Sequence, residues 1–302
     1  MALQKDNKVF IIAELSSNHN QQKEVAIKTI KAAKKAGADA IKLQTYTPDT
    51  MTIDCDNDYF QIKEGLWKGK NLYDLYKEAY TPWEWHADLF QTAKEEGLIC
   101  FSTPFDKTAV DFLETLNNPI YKIASFEIQD IHLIKYAASK GKPMIISTGI
   151  AELEDINLAV KTCREAGNND ITLLKCTSSY PAPIEEANLA TIPNLKETFG
   201  VNAGLSDHTL GITVPVVATT LGATVIEKHF ILDKSIGGPD VEFSLDLDEF
   251  SAMVKAIREA EKAIGKINYG LGNTKKTSKN FGRSLIAVKD IKKGVEFTKK
   301  NV

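Results

Sequence analysis

The strongest constraint on this chain is an alternation. Eight short, β-branched apolar runs recur along it: VFIIAE (9–14), DAIKLQ (39–44), LICFS (98–102), IYKIAS (120–125), PMIIST (143–148), ITLLKCT (171–177), NAGLS (202–206) and TVIEKHF (224–230). A longer stretch, mostly with helical periodicity, separates each from the next. Strands that are apolar nearly throughout are buried on both faces, and strand-helix alternation makes them parallel. Eight such units in about 265 residues predict a (β/α)8 TIM barrel. A doubly wound open sheet is the alternative, but no glycine-rich dinucleotide fingerprint follows the first run.

The connecting segments carry helix punctuation. After the first run Val25, Ala26, Ile30 and Ala33 repeat at helical spacing, and Gly37 stands where a left-handed C-terminal residue belongs. In TPWEWHADLF, Thr81 is placed to cap, Pro82 to take the first helical position and Glu84 to close a capping box. Asp246 and Glu249 make a similar box ahead of the stripe Phe250, Met253, Val254, Ile257 and Ile264, which Gly265 ends.

Composition then excludes partners. A formal charge of −3 gives no basic field, so no nucleic-acid partner is expected. The apolar run near the N-terminus is short and interrupted by Glu14, and no segment has the length of a membrane span, so the expectation is a cytoplasmic protein with no membrane partner. Cys55, Cys100, Cys163 and Cys176 are far apart and read as reduced packing residues.

In a barrel of this kind the C-terminal strand ends and the loops beyond them form the active face. The polar residues of the eight runs collect there: Glu14, Lys42 with Gln44, Ser102 with Thr103, Lys122 with Ser125, Ser147 with Thr148, Lys175 with Thr177, Ser206 with His208, and Glu227 with His229. Lys42 and Lys122 sit among apolar neighbours, where an unpaired ammonium is costly, so each needs an anion. Three readings stay open: pairing with internal carboxylates such as Glu14 or Glu227, convergence on a multiply charged small anion helped by backbone N–H groups of Ser147–Gly149, or a Schiff-base lysine.

His208 and His229 end neighbouring strands and make a plausible start to a divalent metal site. A lone late-strand histidine is more often only hydrogen-bonded. His86 reads as structural, and His19 either faces the site or does not. The long stretch after the second run, 45–80, is expected to cover the site. Gly237, Gly238 and Pro239 form a turn that either aims Asp240 inward or merely leads into the last helix.

Nine segments in register, AELSSNHN, GADAIKLQTYTPDT, FSTPFD, YKIASFEI, STGIAELEDI, CTSSYPAP, GLSDHTLG, EKHF and GGPDVEFS, together resemble the sialic acid synthase family. These enzymes condense phosphoenolpyruvate with an amino-sugar aldehyde to give nine-carbon nonulosonic acids. AELSSNHN, LQTYTPDT and GGPD followed by FS are most similar to the pseudaminic acid branch, whose sugar is a 6-deoxy-2,4-diacetamido altrose. The N-acetylneuraminate and legionaminate branches, the alternatives, usually carry Gly where this chain has Gln21. The resemblance implies that Lys42, Thr103, Lys122, Ser125, Ser147 and Ser206 hold phosphoenolpyruvate and that His208 and His229 ligate Mn2+ or Mg2+. It further implies that Glu14 acts at the reacting carbons and that Gln44, Glu127, Tyr180 and Asp240 face the sugar. Ser178 departs from the family's Asn, so a phosphate contact there is not carried over.

By the same resemblance the barrel spans 1–265, residues 266–282 are a linker, and 283–302 open a truncated antifreeze-like (SAF) domain. In relatives this domain crosses to the partner of a homodimer and brings an Arg to the sugar, the position matched by Arg283. Two rival activities remain, a lysine Schiff-base aldolase and a non-catalytic sugar-phosphate binding protein.

Overall fold

All eight apolar runs form strands in the computed structural model, which describes residues 8–270, 272 and 277–302. They are β1 Phe10–Glu14, β2 Ala40–Thr45, β3 Ile99–Pro104, β4 Tyr121–Ile123, β5 Met144–Ser147, β6 Ile171–Cys176, β7 Asn202–Asp207 and β8 Val225–His229. Each pairs in parallel with the next, and β1 closes on β8 with Phe10 opposite Val225 and Glu14 opposite His229. The helices are α1 Lys23–Ala36, α2 Pro48–Met51, α3 Leu72–Ala79, α4 His86–Glu95, α5 Lys107–Thr115, α6 Ile131–Ala138, α7 Leu153–Glu165, α8 Thr191–Phe199, α9 Thr213–Thr220 and α10 Leu247–Ile264. The expected (β/α)8 barrel is the observed fold.

Side-chain alternation along the strands explains what goes where. One set, including Ile11, Ala13, Ile41, Leu43, Ile146 and Ile226, packs outward in one continuous core with the helices. The other set points into the barrel, where Phe10, Ile12, Ala40, Phe101, Ile120, Ile145, Leu174 and Val225 make a separate apolar plug. Two residues further along the same faces the chemistry changes, to Glu14, Lys42, Thr103, Lys122, Ser147 and Glu227. A second step reaches Gln44 and His229. Barrel depth is therefore read directly from position in each strand. Gly204 belongs to this interior, since a Cβ there would lie 2.3 Å from the Val225 carbonyl oxygen and 2.9 Å from Leu174 Cδ2.

Most helix signals act as expected. Gly37 closes α1 at φ 89°, its N–H donating to the carbonyls of Ala33 and Lys34. Asp246 and Glu249 form a reciprocal box before α10, with Asp246 N to Glu249 Oε2 at 3.0 Å and Glu249 N to Asp246 Oδ1 at 2.9 Å. Phe250, Met253, Val254 and Ile257 of that helix are buried, at about 1.5–3 kcal/mol of stabilisation for each fully buried side chain. Ile264, expected in the same stripe, is exposed.

The Thr81 box is a correction. Trp83–Trp85 forms a 3-10 turn and α4 starts only at His86. Thr81 Oγ1 instead meets buried His19 Nε2 at 3.1 Å, and a hydroxyl committed to a buried imidazole is not available as a cap.

Residues up to Ile264 form one compact unit and Gly265–Val302 a second. The described part of the second unit has one helical turn at 277–279 and local bonds such as Val288 N to Asn301 O at 3.0 Å. It shows no strand among the described residues. Among the described residues no helix is long and apolar enough to cross a membrane.

Candidate active site

The polar ends of the inward faces converge. Lys42 Nζ lies 2.7 Å from Glu14 Oε2, 3.5 Å from Glu227 Oε1 and 3.3 Å from Thr103 Oγ1. Lys122 Nζ lies 3.3 Å from the same Glu227 oxygen, which also accepts from Ser206 Oγ at 3.3 Å. Two ammoniums and two carboxylates thus form one buried cluster at the barrel mouth. Glu227, read from sequence as a partner for the lysines and as a neighbour of His229 on the active face, is its hub. Its spacing of two from His229 on one strand is the signal that places both inward.

Burial and mutual charge split the four groups. Burial raises the Glu14 carboxyl to about 7 despite Lys42 beside it. Burial presses Glu227 the same way, but the ammoniums of Lys122 and Lys42 outweigh it and hold its pKa below the ordinary value. Lys42 is desolvated yet raised by Glu14 and Glu227, whereas burial lowers Lys122. A carboxyl poised near neutrality beside Lys42 and Glu227, both shifted toward their charged forms, suits general acid-base work.

Beside the cluster, Ser125 Oγ accepts from Ile150 N at 3.0 Å and from Ser178 Oγ at 2.8 Å. Gly149 makes this possible, because a Cβ there would fall 2.7 Å from Ser125 Oγ and 2.2 Å from Ser178 Oγ. Ser147 Oγ is buried without a hydrogen-bond partner. Hydroxyls and open backbone beside two lysines fit an anion of phosphate type.

Gln44 Nε2 donates to Glu14 Oε1 and to Ser16 Oγ, both at 3.0 Å, and Ser16 Oγ donates to Asp240 Oδ2. The turn at Gly237 and Gly238 therefore aims Asp240 inward. Ser16, missed from sequence, manages this at φ 46°, a backbone state that sequence inspection does not flag for serine.

His208 and His229 face one another with ring centroids 5.3 Å apart. His208 Nδ1 donates to the Thr177 carbonyl at 3.0 Å, leaving Nε2 as the lone-pair nitrogen. His229 Nδ1 is buried, has no hydrogen-bond partner and stands 3.7 Å from Asp240 Oδ2. Burial lowers His208 to about 4 and His229 well below its ordinary value, so both imidazoles are neutral, the ligating form. Among the described residues no three His, Cys, Asp or Glu side chains converge as a ligand set. Two neutral imidazoles, one with an orphaned nitrogen, fit a divalent cation whose remaining positions belong to water or substrate.

Glu127 and Tyr180 line the adjoining cavity of about 450 Å³ with Ser16, Gln44, His229 and Asp240. Burial raises Glu127 to about 7. Tyr180 packs 4.4 Å from His208 and 5.2 Å from Phe243, a second residue missed from sequence. The segment 45–80 does cover the site, with Trp67 Nε1 donating to the Pro239 carbonyl at 2.9 Å.

Other expectations fall away from the mouth. His19 is held by Thr81 and by its edge contact to Trp85, and so does not face the site. His86 is structural, bonded to Thr45 Oγ1 and the Pro82 carbonyl. Lys175 donates to the Cys176 carbonyl. All four cysteines are free. Arg283 belongs to the second unit, a compact unit of its own.

Lys228 resolves the charged run IEKHF. It points outward between Glu227 and His229, fully buried, and pairs with Asp207 Oδ2 and the Thr209 carbonyl. Asp207 Oδ1 accepts from Thr209 N at 3.0 Å and Thr209 Oγ1 at 2.9 Å. This clamp fixes the turn that carries His208.

A parallel barrel with lysines, carboxylates and paired imidazoles at its C-terminal mouth defines the class, a (β/α)8 barrel with a candidate enzyme site where such barrels carry theirs. The family follows from comparison: the NeuB family model matches residues 29–269, and the chain belongs to that family. It is 54% identical to the pseudaminic acid synthase of Campylobacter jejuni serotype O:2 over 98% of this chain and 87% of that one. It is 50% identical to the pseudaminic acid synthase of Helicobacter pylori, over 97% of this chain and 86% of the other. The crystal structure of N-acetylneuraminic acid synthetase from Leptospira borgpetersenii, in complex with citrate, superposes with a TM-score of 0.80 at 30% identity, covering 91% of both chains.

Proposed function

We propose that the chain is a pseudaminic acid synthase working in the cytoplasm as a homodimer. It joins C3 of phosphoenolpyruvate to the aldehyde carbon of a 6-deoxy-2,4-diacetamido altrose and releases phosphate by C–O cleavage. The observation that carries this reading is 50–54% identity, over nearly the whole chain, to relatives named for that activity.

Lys42 and Lys122, with Thr103, Ser125, Ser147 and Ser206, hold phosphoenolpyruvate. At an effective dielectric near 20 each close charge pair contributes about 4 kcal/mol, enough for two lysines to seat a phosphate with an attached carboxylate. A divalent cation, Mn2+ or Mg2+, held at His208 and His229 supplies Lewis-acid polarisation of the aldehyde when bound. Glu14 takes the proton from the water that adds at C2. The lysines offset charge on the tetrahedral carbon's phosphate as the C–O bond breaks. Gln44, Glu127, Tyr180 and Asp240 orient the sugar, and Arg283 is assigned to its N-acyl group across the dimer.

Phosphate release from phosphoenolpyruvate is measured with the 6-deoxy altrose sugar, with N-acetylmannosamine and with the legionaminate precursor, each with Mn2+ and with chelator. Turnover of the first sugar alone, abolished by chelation, supports the proposal. Preference for mannosamine removes the branch, and retention of the bridging oxygen in the organic product removes the mechanism. One observation favours a Schiff-base aldolase, the Lys122 ammonium that burial lowers. Borohydride trapping of a covalent adduct on Lys122 in the presence of substrate would replace the proposal with that reading.

A further inference from the structure

The loop that leaves β6 carries a hydroxyl that neither the lysine cluster nor the imidazole pair uses. Ser178 Oγ lies 2.8 Å from Ser125 Oγ and 3.8 Å from Cys176 Sγ, and among the described residues it has no other hydrogen-bond partner. Its neighbours are held in place. The Thr177 carbonyl accepts from His208 Nδ1 at 3.0 Å, Thr177 Oγ1 donates to the Glu186 carbonyl at 3.1 Å, and Ser179 Oγ donates to the Pro181 carbonyl at 3.3 Å. Ser178 is therefore presented from a fixed stretch of backbone, and the absence of a side chain at Gly149 leaves the space in which the two hydroxyls meet.

A hydroxyl has one proton to give and two lone pairs to fill. Ile150 N, which can only donate, takes one lone pair of Ser125 Oγ at 3.0 Å. The Ser178 hydroxyl donates to the other. Both acceptor positions of Ser125 are then filled by fixed groups, and its own proton is left for an acceptor outside the pair. Donors aligned in a chain polarise the last O–H, and the gain is largest when the final acceptor is charged. Without Ser178 the same proton turns freely about the Cβ–Oγ bond.

We propose that Ser178 is a positioning residue for the phosphate of phosphoenolpyruvate: it fixes the direction in which Ser125 donates and does not itself touch the anion. The inference rests on the reading that places Ser125 in that subsite, and it gives Ser178 a task there that the family resemblance did not carry over. The loop after β6 then has two duties on neighbouring residues. Thr177 holds the His208 ring, and Ser178 holds the Ser125 hydroxyl.

The test titrates phosphoenolpyruvate and inorganic phosphate by calorimetry into wild type, Ser178→Ala, Ser125→Ala and the double variant, with steady-state KM values measured beside them. Loss of Ser178 is expected to raise both Kd values by about 3- to 10-fold, the worth of one neutral hydrogen bond, and loss of Ser125 by about 10- to 100-fold, that of a bond to a charged group. In Ser178→Ala the phosphoenolpyruvate KM is expected to rise with the sugar KM unchanged, a split that general loosening of the loop would not give. The double variant is expected to bind as Ser125→Ala does, within about twofold, because Ser178 has nothing to orient once Ser125 is gone. A larger further loss in the double variant means that Ser178 meets the anion itself, and overturns the inference. Unchanged affinity in Ser178→Ala, or a sugar KM that rises in step, overturns it as well and leaves the synthase reading intact. Wild type that binds neither anion overturns the phosphoenolpyruvate reading and takes this inference with it.

Discussion

Replacing Lys228 with Met isolates what the buried clamp behind His208 contributes. Lys228 is fully buried and Asp207 nearly so, and among the described residues the ammonium supplies the carboxylate's only opposite charge at close range. Removing it leaves Asp207 with the two donors of Thr209 and an uncompensated negative charge in the wall between β7 and β8. Breaking a buried pair from one side costs about 3–5 kcal/mol. With an m-value near 3 kcal/mol/M in urea, the unfolding midpoint falls by roughly 1–1.7 M. The companion Lys228→Met with Asp207→Asn removes both charges while keeping the side-chain acceptor for Thr209, so it is expected to recover at least about half of the loss. Urea unfolding followed by tryptophan fluorescence and by circular dichroism reads both. A single variant that costs less than about 1 kcal/mol, or a double variant no better than the single, refutes the claim that this pair is electrostatically coupled.

Glu14→Gln is expected to lower kcat by about 10²–10⁴-fold while phosphoenolpyruvate binding holds or tightens, because a carboxyl beside Lys42 has been neutralised. Lys122→Met is expected to raise the phosphoenolpyruvate Kd by about 10-fold or more, read by calorimetry, and unchanged affinity would remove Lys122 from that subsite. Stability is expected to fall between pH 7.5 and 5.5. His19, His86, His208 and His229 have folded pKa values below the ordinary 6.5, so the stability tied to their neutral forms is present above 6.5 and drains as pH falls toward 4. Glu14, Glu127 and Asp240 are raised and act in the opposite sense, but four imidazoles outnumber three carboxyls; a thermal midpoint equal or higher at pH 5.5 contradicts this. Gln21→Gly relieves a non-glycine residue at a left-handed φ of 54° and removes the side chain that pins the covering segment. Thermal stability is expected to hold while tryptic cleavage at Lys63, Lys68 and Lys70 accelerates, and unchanged cleavage would show that the latch is idle.

The barrel was legible because period and burial agree in every strand, and barrel depth translates strand position into chemistry. The same rule made His208, His229, Lys42 and Lys122 legible as a group. It did not reveal Ser16, whose inward reach depends on a left-handed backbone state, nor Trp67, whose contact with Pro239 joins segments 172 positions apart. Thr81 misled because a local capping pattern competed with a buried histidine and lost. Lys228 was the hardest, since one residue of register separates a group in the active mouth from one sealed behind it.

That register also dissolves a choice the sequence left open. Pairing the two lysines with internal carboxylates and using them to hold a substrate anion look like alternatives on paper. In the mouth, Lys42 touches both Glu14 and Glu227, Lys122 touches Glu227, and the formal charges cancel. A cluster balanced in this way keeps two ammoniums desolvated and positioned without the several-kcal/mol cost of leaving them unpaired. An incoming phosphate then meets cations already in place, and the carboxyl best able to accept a proton in response is Glu14, raised to about 7. Carboxylate pairing is thus the condition that lets the lysines wait for an anion, and Glu14, the carboxyl that yields most readily to protonation, has to be ionised again before it takes the proton from water.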